Sequence, residues 1–157
     1  MPITAERYHD ISCGHRVVGH EGKCRHLHGH NYRIFFTIEA DQLDSVGRVL
    51  DFGVIKEKLC MWLEENWDHK FLAWQKDLVM QGIEAALRTP GFAGTLGEYD
   101  QSIVWMPFNP TAENIAEYLV NVIAPVQLQD TGARLIKCTV EETRKCAATY
   151  EVYNDAS

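Results

Sequence analysis

Four stretches of the chain alternate apolar and polar residues with the two-residue period of a half-buried strand. In the cleanest, Tyr32, Ile34, Phe36 and Ile38 share one face and Arg33, Thr37 and Glu39 the other, with Phe35 left on the polar face for a partner to cover. In another, Ile136, Cys138 and Val140 oppose Lys137, Thr139 and Glu141. The remaining two run over 3–15, broken near the middle, and over about 147–153. Helical spacing takes over between Phe52 and Trp67, where Phe52, Ile55, Leu59, Trp62 and Leu63 form one stripe. It returns between Thr111 and Ala124, with Ile115, Tyr118, Leu119, Val122 and Ile123. Thr111 suits an N-cap, Glu113 the positive end of the helix dipole, and Pro125 a stop. The order strand, strand, helix, helix, strand, strand predicts a four-stranded sheet with helices on one face. Its other face and its edges are left for an oligomer to cover. Between Ala73 and Pro107 the pattern is weaker, and predicts a third helix over 76–88, a Gly-rich loop over 89–97 and a short strand over 102–106.

A chain of 157 residues is the size of one domain. Its net charge of −7 argues against nucleic acid as a partner, because a phosphate-binding surface needs excess Lys and Arg. An anionic substrate would have to be drawn by a local pocket or a metal. No stretch approaches the roughly 20 apolar residues of a membrane span, and the first residues lack the regions of a signal peptide. Five cysteines, an odd count without paired spacing, fit a reducing cytoplasm better than a disulfide framework. Cys13, Cys60, Cys138 and Cys146 read as inert core residues.

Candidate chemistry concentrates in Cys24-Arg25-His26-Leu27-His28-Gly29-His30. On an extended strand His28 and His30 point the same way, about 6–7 Å apart, which lets two imidazoles bind one metal ion. Gly29 leaves room for substrate or backbone between them. A third ligand is needed. If the first two strands form a hairpin, His15 lies opposite the His28–His30 region; His20 and His26 compete on spacing alone. Three His with a fourth position open is the arrangement of a catalytic zinc. Cys24 fits two roles, a fourth ligand of a structural zinc or a free thiol acting as base or nucleophile. Asp68 and His69 follow the first helix, where the helix end favours a protonated imidazole and the carboxylate can hold its ring. Glu142 continues the apolar face of its strand and so needs a partner, such as a ligand with two adjacent N–H donors.

Together these residues resemble the family of 6-pyruvoyl-tetrahydropterin and 6-carboxytetrahydropterin synthases. The likeness runs from His15 to Glu142 with its motifs in order. After His15 come Cys24-x-x-x-His28-Gly29-His30-Asn31-Tyr32, Leu50-Asp51-Phe52-Gly53 and Asp68-His69-Lys70. Asn109-Pro110-Thr111-Ala112-Glu113-Asn114 and Val140-Glu141-Glu142-Thr143 complete the set. The resemblance implies an α+β T-fold (ββααββ), an antiparallel sheet with helices on one face, closing into a barrel in a homohexamer of two trimers. It implies one domain over 1–157 with an insertion at about 73–107. It assigns Zn2+ to His15, His28 and His30, the general base to Cys24, and a proton relay to Asp68 and His69, often across a subunit interface. Glu142 becomes the anchor of the pterin amino group and ring N–H, with Thr111 and Glu113 near the pterin pocket. The implied reaction is that of a cytoplasmic lyase acting on 7,8-dihydroneopterin triphosphate. It either keeps the side chain, giving 6-pyruvoyl-tetrahydropterin, or releases acetaldehyde and triphosphate to give 6-carboxy-5,6,7,8-tetrahydropterin, a precursor of queuosine. Three residues between Cys24 and His28 resemble the bacterial carboxy-forming group; the animal pyruvoyl enzymes have five. Outside this chemistry stand a non-catalytic module in which Cys24 closes a structural zinc site, and a zinc hydrolase that would need neither Cys24 nor Glu142.

Overall fold

Strict alternation makes strands of Ala5–His15 (β1) and His28–Ala40 (β2), and their registry is continuous from Ala5 opposite Ile38 to His15 opposite His28. The computed structural model describes residues 3–89 and 101–153. The break expected in the middle of β1 does not occur. Arg7 and His9 interrupt the apolar face, but the first helix supplies their partners: Arg7 Nη1 donates to the Phe52 carbonyl at 3.0 Å, and His9 Nε2 lies 2.6 Å from Glu64 Oε1. Polar residues with partners need not end a strand. On the opposite face Phe35 packs 5.4 Å from the Tyr8 ring, so part of its cover comes from within the chain.

Four further strands complete the sheet: Phe71–Trp74 (β3), Ile103–Met106 (β4), Ala133–Thr143 (β5) and Cys146–Glu151 (β6). The spatial order is β4-β3-β1-β2-β5-β6. The four long strands are antiparallel as expected, while β3 and β4 add in parallel at the β1 edge and make the sheet mixed. β4 matches the short strand expected over 102–106, whereas β3 is an addition to the expected order. The expected loop over 89–97 lies, beyond Thr89, outside the described residues. Ile136 does not face the core. A register shift between Thr37 and Ile38 leaves it as the extra residue of a bulge, and Leu135 takes its place inside.

One helix spans 52–66 and another 112–127, each with a π-turn in its middle, at Lys56–Cys60 and Leu119–Ile123. An extra residue in one turn advances the buried stripe by one position. The first helix therefore buries Ile55, Leu59, Cys60 and Leu63, and the later one Ile115, Ala116, Leu119, Val120 and Ala124, while Val122 turns to solvent. Phe52 is 58% exposed, since it opens its helix and engages the sheet through its carbonyl rather than its ring. Pro125 does not stop the later helix, which continues to Gln127. Proline denies a partner to the carbonyl four residues back, which here is that of Asn121, within the π-turn where the ordinary helical pairing is already interrupted. Thr111 caps as expected, its Oγ1 accepting from Asn114 N at 3.1 Å. The third helix is Leu78–Leu87, capped by Asp77. Helix and strand faces meet in one core around Ile34, Phe36, Leu59, Leu63, Ile115 and Cys138.

Gly14, opposite Gly29, shows how tightly β1 and β3 abut: a Cβ on Gly14 would lie 2.5 Å from Phe71 Cδ2. A Gly14→Ala variant is expected to lose about 1–3 kcal/mol of stability through overpacking, read from the urea midpoint at fixed metal content. Unchanged stability would mean that the Phe71 ring swings aside freely.

Candidate metal centre and active site

The β1–β2 hairpin delivers His15, His28 and His30 to the inner side of the sheet, next to the chain segment that enters the later helix. Their ring centroids are 4.5, 5.1 and 4.9 Å apart pairwise, and one ligand nitrogen from each lies within 4.8 Å of the other two. His15 Nδ1 lies 2.7 Å from the Pro110 carbonyl and His28 Nδ1 2.7 Å from that of His26. A carbonyl only accepts, so each Nδ1 carries the proton and each Nε2 keeps its lone pair free. The Nε2 atoms of all three are buried without a hydrogen-bond partner among the described residues. A buried polar atom without a partner costs free energy; three converging at one point fit a metal ion of imidazole preference. Burial pushes the His15 pKa down to about 4, against the Pro110 carbonyl, which favours the charged ring, and with added repulsion from His28 and His30. His30 is lowered likewise, by burial and then by His28. His15 and His30 are thus disposed to be neutral ligands near neutral pH.

The rival ligands fall away. His20 Nδ1 accepts from Gly22 N at 2.8 Å, and His26 meets the site only through its carbonyl. Cys24 is not a member of the converging group. It sits half-buried in a single 3-10 turn, Lys23–Arg25, and lines a pocket of about 270 Å³ with His20, Thr111, Glu113, Glu142 and Cys146. Cys146 is therefore no core residue; it is exposed at the start of β6, whereas Cys13, Cys60 and Cys138 are buried as expected.

Glu142 stands beside the triad, its two oxygens each 3.8 Å from an imidazole, Oε1 from His15 Nε2 and Oε2 from His30 Nε2. Burial raises its pKa, the Glu113 carboxylate adds to this, and His28 works against it. Glu142 also borders a second, larger cleft of about 870 Å³ that contains His30, Asp68 and His69. There the Asp68–His69 dipeptide is held in detail. Asp68 Oδ1 accepts from Ser12 N at 2.8 Å, Oδ2 lies 2.7 Å from His69 Nδ1, and His69 N donates to the Ser12 carbonyl at 2.7 Å. Burial opposes the Asp68 charge, but the Ser12 N–H and His69 outweigh it and hold the carboxyl below its ordinary value. His69 pays for its place with φ of +61°, a conformation L-residues seldom adopt and one often met at functional sites. Its ring is mostly exposed. Within one chain, then, Cys24 and the Asp68–His69 pair open into different cavities that meet at Glu142.

Tyr32 shares the apolar face of β2 with Ile34, Phe36 and Ile38, as the alternation predicts. Its ring is buried 5.7 and 5.4 Å, centroid to centroid, from the His15 and His30 rings, and its hydroxyl has no hydrogen-bond partner among the described residues. Burial, then Glu142, raises its pKa. The available signal was its phase: Tyr32 follows His28 and His30 on the same face.

A family model described as 6-pyruvoyl tetrahydropterin synthase matches residues 4–152. The chain is 40% identical over 145 residues to a 6-carboxy-5,6,7,8-tetrahydropterin synthase of Rickettsia felis, covering 92% of this chain and 96% of the relative. It is 37% identical over 144 residues, with the same coverage, to the protein of that name in Rickettsia typhi. Among solved structures it resembles an uncharacterised protein of Wolinella succinogenes, with a TM-score of 0.80 at 24% identity over 95% of this chain and 97% of that one. It also resembles the 6-pyruvoyl tetrahydropterin synthase of Caenorhabditis elegans, with a TM-score of 0.62 at 24% identity over 96% of each. The two structural likenesses establish a shared fold.

Proposed function

The chain belongs to the 6-pyruvoyl tetrahydropterin synthase family, and from that membership we propose a zinc-dependent lyase. It converts 7,8-dihydroneopterin triphosphate and one water to 6-carboxy-5,6,7,8-tetrahydropterin, acetaldehyde and triphosphate. The observation that carries the reading is the convergence of three partnerless imidazole nitrogens beside Glu142. Zinc on His15, His28 and His30 would supply Lewis acidity to the hydroxyls of the substrate side chain. Glu142 accepts the paired N–H groups of the pterin, which favours its ionised form against the burial that opposes it. Thr111 and Glu113 line the same pocket and border the ring. Cys24 takes a proton from the side chain, and His69, its ring held by Asp68, gives or receives the other.

The family resemblance implies a homohexamer in which the pair serving a given Cys24 comes from a neighbouring subunit, and the separate cavities of Cys24 and Asp68–His69 in one chain support that reading. Such an assembly also covers the β4 and β6 edges. No helix among the described residues is long and apolar enough to cross a membrane, and we place the enzyme in the cytoplasm, on the route to queuosine.

The test is product analysis of zinc-loaded protein given 7,8-dihydroneopterin triphosphate. Acetaldehyde in equal amount to 6-carboxytetrahydropterin is expected. A pyruvoyl product without acetaldehyde would move the chain to the other branch of its family, and no pterin turnover would sink the reading.

A further inference from the structure

One fully buried charge has no part in the site so far described. Asp77 is 1% exposed, and its carboxylate receives four N–H groups. Two come from the helix it caps, Val79 N at 3.0 Å and Met80 N at 3.3 Å, both to Oδ1. The other two come from one guanidinium: Arg16 Nε donates to Oδ2 at 2.6 Å and Nη2 to Oδ1 at 3.1 Å. A cap requires only an acceptor, so the bidentate fork is an additional device.

Arg16 directly follows His15, at the point where the chain leaves the sheet to form the 16–27 loop. The loop contains one short turn of regular structure, Lys23–Arg25, and that turn carries Cys24. Arg16 spends its remaining reach on the far end of the same loop: Nη1 donates to the Arg25 carbonyl at 2.9 Å. One planar group therefore ties the loop's start to its end and both to the segment between β3 and the third helix at Asp77. Three other bonds fix the near half. Val17 N donates to the Cys24 carbonyl at 2.7 Å, and the Asn109 side chain brackets Val18, accepting from its N at 3.0 Å and donating to its carbonyl at 2.9 Å. Only Arg16 reaches past Cys24 among these side-chain holds.

We propose that Arg16 and Asp77 are positioning residues: their buried fork holds the Cys24 turn against the pocket it shares with Glu142. The segment that begins at Gln75 thereby acts on the reaction from outside the site. The inference rests on the role given to Cys24 above. A misplacement of a reacting group by about 1 Å can cost on the order of 100-fold in rate, so a rigid three-bonded clamp has a kinetic consequence that a flexible loop would forfeit.

Arg16→Lys keeps the charge beside Asp77 but lacks the fork; Asp77→Asn keeps the cap acceptor but loses the ion pair. Both are to be compared with the unmutated, zinc-loaded full chain for metal content, kcat, KM and iodoacetamide alkylation of the Cys24 peptide, quantified apart from Cys146 by mass spectrometry. Metal content should hold. In both variants kcat should fall roughly 10- to 100-fold with KM changed far less, and Cys24 alkylation should speed up severalfold with a shifted pH midpoint. The double variant should be no worse than the worse single one, because both remove the same fork. If thermal stability alone falls, while kcat and Cys24 alkylation stay within about twofold (a factor worth under 0.5 kcal/mol), the pair is structural and the proposal is overturned. Should Asp77→Asn fail to fold, Arg16→Lys decides by the same readouts. An unmutated chain that does not turn over the pterin would strike at the proposed function instead, and the alkylation arm would still judge the clamp.

Discussion

Replacing Cys24 by Ala is expected to abolish turnover while leaving the metal in place. The loss should be about 100- to 10,000-fold, the range that a positioned acid or base contributes, with one metal ion per chain before and after. Geometry separates the two roles that spacing left open. The three Nε2 atoms already converge on a common point, each imidazole is oriented by its Nδ1 or by packing, and Cys24 stands outside that group, in the neighbouring pocket. A thiol removed from there takes no ligand from the metal. Elemental analysis after dialysis, together with kcat, tests this directly. Metal lost with the thiol would make Cys24 a fourth ligand and the site structural. Metal kept with turnover intact would make the thiol dispensable, as a hydrolase that uses neither Cys24 nor Glu142 requires. A Cys24→Ser variant should resemble Cys24→Ala at neutral pH, because a hydroxyl lacks the thiol's readiness to ionise.

The parts of this molecule that follow a simple period were legible before any coordinates. The Tyr32-to-Ile38 face and the His15–His28 juxtaposition need only alternation and one hairpin, and both are found. Departures from period were not legible. The π-turns at Lys56–Cys60 and Leu119–Ile123 rotate each helix's buried stripe by one residue, which is why Cys60 and Val120 are inside while Val122 is out. The bulge at Ile136 does the same to β5. Such shifts are decided by what the facing layer can accommodate, and no local pattern encodes that. At the site, the ligand types announced themselves, but their orientation did not. The carbonyls of Pro110 and His26 that fix the imidazole tautomers are main-chain groups, present at every residue and so silent in a sequence. The Arg16–Asp77 fork is silent for another reason: its halves are 61 residues apart, and each alone looks like a solvated surface charge.

The second large effect concerns His15, the most buried of the ligands. His15→Ala should lower metal affinity by well over the roughly 10- to 100-fold that loss of a mere orienting neighbour costs, and turnover should disappear with the metal. Two consequences combine. The ion loses a neutral donor that burial keeps unprotonated, and the Pro110 carbonyl, 2.7 Å from Nδ1, loses its donor at the entrance to the later helix. The same variant should therefore be less stable than the metal-free parent, in which that carbonyl is still paired. The parent in turn should unfold at a lower temperature once a chelator has removed its ion, since binding to the folded state alone stabilises it. His20→Ala and His26→Ala are the matching controls. His20 is engaged with Gly22 and His26 contributes only its carbonyl, so both should retain metal through dialysis. If either of them loses the ion while His15→Ala keeps it, the triad is wrong, and with it the assignment of the fourth position to the substrate. If His15→Ala alone loses it, the three free nitrogens that the hairpin brings together are the metal's ligands.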